Sequence, residues 1–264
     1  MTEKKRIGGV ELAWEEAGRG APLVLLHAFP LNRKMWRPQA EALAGTYRVI
    51  MPDFRGHGES GIAEEDSTME RLADDVRGLL DHLKLDRVVL GGLSMGGYVA
   101  FAFLRRWPER VRALILADTR ASADTDEGRK ARYETAELAE REGSAAIAER
   151  MLPKLLAASS HETKPELVAA VRGMVLEAAP AGIARALRGV AARLPAFDLL
   201  PNINVPTLIL VGEQDVLTPP SDSEAMAKAI PGSTLVKILN AGHLSNLEQP
   251  AIFNSAFLAF LREA

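Results

Sequence analysis

Apolar positions along the chain follow two rhythms. Short, nearly continuous apolar runs recur at Leu23–Leu26, Val49–Met51, Arg87–Gly92, Val111–Asp118, Val205–Asp215 and Ser233–Leu239. A strand with one wet face alternates apolar and polar residues, whereas an unbroken apolar run suits a strand covered on both faces of a parallel sheet. Only the N-terminal RIGGVELAWEEAG begins with simple alternation. Between the runs the spacing changes. In Met69–Leu83, residues Leu72, Val76, Leu79, Leu80 and Leu83 fall on one face of a helix, and Ser221–Ile230 and Pro250–Leu261 are also helix-like. Strands alternating with helices in this way predict a doubly wound α/β domain with a mostly parallel sheet.

One region departs from this rhythm. From about Ala121 to about Pro195 no strand-like run occurs, and the sequence is rich in Ala, Glu, Arg and Leu, punctuated by Gly143, Pro153, Pro165, Pro180, Gly182 and Pro195. Three to five helices are expected here, inserted between two strands. The predicted organisation is a core domain made of residues 1–120 and 196–264, with a helical cap over residues 121–195.

Composition narrows the function classes. The 264 residues are 47% hydrophobic, enough for one substantial core, or for a core plus a smaller appended unit. Net charge is −3 and no basic block stands out, so no nucleic-acid partner is expected. Cysteine is absent, which excludes disulfides and thiolate metal sites. The N-terminal stretch lacks the apolar core of a signal peptide, and no apolar run reaches membrane-spanning length. These features point to a cytoplasmic protein, not membrane-bound; a small-molecule partner and a monomer or small homo-oligomer are expected. Six Asn and three Gln are few, a bias in the direction of heat adaptation.

The candidate chemistry centres on VVLGGLSMGGYVAF, Val88 to Phe101. Glycine inside a helix or strand costs roughly 0.5–1 kcal/mol relative to alanine, so four glycines around one serine need a reason. Gly92-Leu93-Ser94-Met95-Gly96 fits G-x-S-x-G between a predicted strand and a predicted helix, Met95 to about Arg105. A sharp strand-to-helix turn lifts the Ser94 hydroxyl above the sheet, only small neighbours avoid collision, and the helix start aims free N–H groups at the same spot. The bare motif arises by chance in roughly one chain in ten of this length; its placement is what gives it weight. No Gly-Lys-Ser/Thr is present, which argues against a phosphate loop, and no G-x-G-x-x-G occupies a βα turn. No cofactor and no metal are expected.

A serine hydroxyl needs a base, and the base an orienting carboxylate, in the chain order Ser, acid, His. Two histidines follow Ser94. His161 lies in the helical insertion and reads as a surface residue; His243, in NAGHLSNLEQP, follows the last strand at the carboxyl edge of the sheet. For the acid, Asp215 in GEQDVLTPP is favoured, Asp118 after the preceding strand competes, and Glu213 is a weaker option. An oxyanion would need two backbone donors. These are Met95, directly after the serine, and Phe29 in His27-Ala28-Phe29-Pro30, where Pro30 has no N–H.

Together these segments resemble the α/β-hydrolase superfamily over nearly the whole chain. HAFP is similar to its H-G-x-P oxyanion loop, with Ala28 in place of glycine; DFRGHGES to its D-x-R-G-x-G-x-S loop; GLSMGGYVAF to the nucleophile elbow; VGEQDVLTPP to the acid loop; AGHLSNLEQP to the histidine loop. The nearest likeness is to small bacterial carboxylesterases of thermophilic type with a helical cap. The resemblance implies the α/β-hydrolase fold, with the helical cap inserted between two strands. It also implies a serine carboxylesterase acting on small-to-medium apolar esters through an acyl-serine. Enol-lactonase, carbon–carbon hydrolase or perhydrolase chemistry on the same site, and a non-catalytic ligand-binding relative, are the alternatives. His27 and the DFRGHGES loop read as structural. Trp36, Met151 and Leu155 are candidate pocket residues, with Leu152, Leu156, Met174 and Leu187 as further apolar cap positions; each could equally pack the cap on itself.

Overall fold

The computed structural model describes residues 1–263. Its eight strands are β1 (Thr2–Ile7), β2 (Val10–Ala17), β3 (Ala21–Leu26), β4 (Tyr47–Pro52), β5 (Val88–Leu93), β6 (Val111–Ala117), β7 (Thr207–Gly212) and β8 (Thr234–Ile238). They form one sheet in the order β1-β2-β4-β3-β5-β6-β7-β8. The β1–β2 and β2–β4 pairs are antiparallel and all others parallel. The single alternating run at the N-terminus is therefore a hairpin. Gly8 and Gly9, both at positive φ, make its two-residue turn, the geometry that matches strand twist. Every residue of β5 and of β7 is buried, as continuous apolar runs require.

The helices are α1 (Arg37–Leu43), α2 (Met69–His82), α3 (Met95–Arg106), α4 (Asp126–Leu155), α5 (Ala158–Thr163), α6 (Pro165–Glu177), α7 (Pro180–Ala191), α8 (Pro220–Ala229), α9 (Ser245–Glu248) and α10 (Pro250–Glu263). Thr68 caps α2 by accepting the Arg71 N–H, and Leu72, Val76, Leu79 and Leu80 are its buried stripe, packed beside α3. No single helix among the described residues is long and apolar enough to cross a bilayer. The chain thus has the α/β-hydrolase architecture: a mostly parallel sheet flanked by helices.

Between β6 and β7 stand α4 to α7, the four-helix insertion that the loss of strand rhythm predicted. α4 is broken at Gly143, where φ is 80° and ψ −177°, a conformation essentially reserved for glycine. The two arms therefore fold as separate segments. α7 packs along α4 and docks on the core by direct backbone approach. A Cβ on Gly182 would lie 2.0 Å from the Gly56 carbonyl oxygen, and one on Gly189 1.9 Å from that of Ser67. Glycine weakens a helix interior, but here a side chain would push the insertion off the core.

The loop after β4 is an ion-pair scaffold. The buried Arg33 guanidinium reaches Asp53, Glu15 and Glu59, and Arg55 grips Asp75 with two bonds of 2.6 and 2.7 Å. His27 Nε2 accepts the Phe54 N–H at 2.9 Å. Burial pulls the imidazole pKa down to about 4, so His27 is neutral and serves as a spacer. The structural reading of His27 and DFRGHGES holds.

Candidate active site

Ser94 sits at the carboxyl end of β5 with φ 55° and ψ −113°. A non-glycine residue at positive φ costs of order 1–3 kcal/mol and persists only where its surroundings over-determine it. Here the Ser94 N–H donates to Ala117 O at 2.9 Å, and its own carbonyl accepts from Thr119 Oγ1 and the Gly97 N–H, both at 2.9 Å. The flanking glycines let α3 pass close to β3. A Cβ on Gly96 would meet Leu26 O at 2.2 Å, and one on Gly92 would meet the Gly96 carbonyl at the same distance.

His243 lies in the loop between β8 and α9. Its Nε2 is 2.8 Å from Ser94 Oγ, and its Nδ1 is 2.8 Å from Asp215 Oδ2. All three are at least nine-tenths buried. Asp215 Oδ1 accepts the backbone N–H groups of Leu217 and Thr218 at 2.8 and 3.0 Å, and Oδ2 also accepts the Thr218 hydroxyl at 2.6 Å. Burial works to raise the Asp215 pKa, but the charge and hydrogen bond of His243, with the Thr218 bonds, outweigh it and hold it below the ordinary value.

Asp118, the competing acid, does not touch His243. Its Oδ1 accepts the Gly212 N–H at 2.8 Å and its Oδ2 the Ser245 hydroxyl at 2.5 Å, joining the ends of β6 and β7 to α9. Burial first, and the Asp215 charge second, push its carboxyl well above the usual range. The Glu213 side chain is exposed, and His161 sits on α5, outside the cavity above Ser94.

That cavity has a volume of about 260 Å³. Ser94, His243, Phe29 and Met95 line it from the core, and Met151, Leu187 and Val190 from the insertion. Among the described residues, the Phe29 and Met95 N–H groups have no protein acceptor, and both residues line the cavity that holds Ser94. Phe29 precedes a cis peptide bond to Pro30.

Two of the expected pocket residues lie elsewhere. Trp36 is fully buried under α10, with its ring 6.2 Å from Phe253 and 6.5 Å from Phe257. Leu155 is also fully buried, and its carbonyl accepts the Leu244 N–H beside the histidine. Apolar character, and for Trp36 nearness in sequence to the oxyanion loop, do not tell an inward face from a lining one. Leu152, Leu156 and Met174 likewise pack in the core of the molecule rather than along the cavity, while Met151 and Leu187 reach it. Nor is the cavity apolar throughout, because Arg120, Asp124, Arg132, Thr135, Arg150 and Lys154 also line it. Gly128, Ala131, Arg132 and Thr135 fall at helical spacing on α4, a signal in the sequence that an apolar search passes over.

The model of the alpha/beta hydrolase fold family matches residues 21–250. The chain belongs to this α/β-hydrolase family. This α/β hydrolase is 47% identical to a thermophilic esterase from Thermogutta terrifontis whose structure was solved with malate bound. That comparison covers 99% of this chain and 98% of the other, with a TM-score of 0.96. The enol-lactonase from Burkholderia xenovorans superposes with a TM-score of 0.92 at 31% identity, covering 98% of the hydrolase and 100% of that chain. The 3-oxoadipate enol-lactonase 2 of Acinetobacter baylyi is 30% identical over 240 residues, 91% of the hydrolase and 88% of that protein.

One contact of the hydrolase lies beyond what its motifs announce. The loop Asn240-Ala241-Gly242 reads as flexible in the sequence, yet the Gly242 N–H donates to Glu248 Oε1 at 2.6 Å. The other Glu248 oxygen accepts the Ala157 N–H and the Ser160 hydroxyl at 2.9 and 2.6 Å. The histidine loop is thereby tied to the start of α5.

Proposed function

We propose that this protein is a serine carboxylesterase that hydrolyses small carboxylic esters through an acyl-serine. The observation that carries the reading is the unbroken chain Ser94 Oγ, His243 and Asp215, with both links at 2.8 Å. His243 takes the Ser94 proton as Oγ attacks the ester carbonyl, and Asp215 fixes the imidazole tautomer and stabilises the imidazolium. The free N–H groups of Met95 and Phe29 receive the negative charge of the tetrahedral oxygen. His243 then protonates the leaving alcohol. Water, activated by the same imidazole, releases the acid and restores Ser94. The helical insertion acts as a cap, with Met151, Leu187, Val190 and Leu217 packing against the apolar part of the ester. The kinship with an esterase at 47% identity supports this choice of reaction.

Enol-lactone opening is the second reading, supported by the enol-lactonases at 30% and 31% identity. It uses the same steps, with the leaving enol remaining part of the acyl group. The test is a set of p-nitrophenyl esters beside enol lactones, with and without a fluorophosphonate probe. The esterase reading expects ester turnover that is abolished together with covalent labelling in Ser94→Ala. Turnover near the wild-type rate in that variant overturns it.

A further inference from the structure

The cavity over Ser94 is strongly unbalanced in charge. Arg120, Arg132, Arg150 and Lys154 line it against a single carboxylate, Asp124. Asp124 is already saturated. It accepts Arg120 at 2.6 Å, Arg132 Nε at 2.6 Å, and Arg193 through both oxygens at 2.9 and 2.7 Å. One buried carboxylate therefore aims three guanidiniums without neutralising them. Arg132 commits only Nε to this contact. Among the described residues its terminal nitrogens make no protein bond, and the side chains of Arg150 and Lys154, exposed at the cavity's edge, make no hydrogen bond or ion pair.

The placement is specific. Arg132 comes from the first arm of α4, Arg150 and Lys154 from the second, and the break at Gly143 is what brings the two arms into the same wall. The reacting groups, Ser94 and His243, belong to the core side of the cavity, and apolar Met151, Leu187, Val190 and Leu217 also line it. A guanidinium presents a planar fork of donors that matches a carboxylate bidentately.

We infer that the insertion wall formed by Arg132, Arg150 and Lys154 is an anion subsite. The preferred substrates then carry a second, free carboxylate on the part of the ester remote from the scissile bond. This rests on the serine-esterase reading and adds a substrate class to it: hemiesters of dicarboxylic acids, with the charge on the acyl side, or acyl esters of hydroxy acids, with the charge on the alcohol side.

Two substrate pairs separate those sources. p-Nitrophenyl hydrogen glutarate is compared with p-nitrophenyl valerate, and O-acetyl lactate with ethyl acetate. The expected result is a kcat/KM at least about tenfold higher for the charged member of one pair, shrinking as added salt shortens the screening length. In Arg150→Gln/Lys154→Gln the charged-to-neutral ratio should fall at least about tenfold. Wild-type preference for the neutral ester in both pairs overturns the subsite, as does a ratio that the double variant leaves within about twofold.

A binding arm stands apart from catalysis. Monomethyl glutarate is titrated calorimetrically into Ser94→Ala, with and without the two Gln substitutions. Binding that the substitutions weaken about tenfold supports the subsite even if no ester turns over, an outcome that would remove the esterase reading alone. Equal binding in both proteins, or none in either, removes the subsite.

Discussion

Glu248 Oε1 accepts the backbone N–H of Gly242 at 2.6 Å, one residue before the histidine that faces Ser94. The same buried carboxylate holds the start of α5 through Ala157 and Ser160, so one side chain couples the histidine loop to the insertion. In Glu248→Gln an amide NH2 must face one of these donors. Stability should fall by about 1–3 kcal/mol, the cost of an unsatisfied buried polar group. Urea unfolding measures this loss. Esterase kcat should fall alongside it as His243 loses its fixed position, and an unchanged kcat would show that the loop is held by other contacts.

Asp215 and Asp118 end neighbouring strands, but only Asp215 reaches the imidazole. Asp215→Asn should lower kcat/KM by roughly 10³–10⁴-fold, since the amide favours the wrong tautomer of His243. Asp118→Asn should stay within about tenfold of wild type, because Asp118 bonds the Gly212 N–H and the Ser245 hydroxyl and leaves the imidazole to Asp215. Steady-state kinetics of the two variants decide this, and the reverse order would make Asp118 the acid.

At Gly143 a Cβ would meet nothing within 4 Å, so backbone conformation alone demands glycine there. Gly143→Ala should destabilise the insertion by about 1–3 kcal/mol. Hydrogen exchange should locate the loss in α4, with β5 and β7 still protected.

Acid should weaken the fold through two buried histidines. Burial pulls His27 down to about 4; burial, then the neighbouring His27, pull His57 down to about 3. Unfolded, each titrates near 6.5. Between these values the unfolded chain binds more protons than the native one. Stability should therefore be lost as pH falls from about 6.5 towards 4 for His27 and 3 for His57, on the order of several kcal/mol in total. Asp118, whose carboxyl is raised, acts in the opposite sense above its ordinary value. Urea midpoints at several pH values should show a slope that flattens in His27→Gln and His57→Gln; a slope identical to wild type would assign the acid sensitivity to other groups.

Local chemistry made much of this protein legible from its sequence. The apolar runs declared strands, and all of them appear in one sheet, although Ser233–Leu239 forms the partly exposed edge strand β8 and not a doubly covered one. The loss of that rhythm marked the helical insertion. Gly92, Ser94 and Gly96 announced a strained turn because the steric demand is met within a few residues. Chain order and the sheet's carboxyl edge brought Asp215 and His243 forward, though they left Asp118 in contention.

Contacts across the chain decided the rest. Asp118 and Asp215 both follow the carboxyl ends of neighbouring strands, and it is the bond to His243, made by Asp215 alone, that distinguishes them. Trp36 and Leu155 are as apolar as Met151, yet whether an apolar side chain fills a core or lines a cavity depends on what packs against its other side. The cationic wall depends on the backbone break at Gly143, which places residues of two helical arms around one space. Sequence fixes which side chains and backbone conformations are available; which of them meet is settled by packing between segments more than a hundred residues apart, as for the 149 residues separating Ser94 from His243.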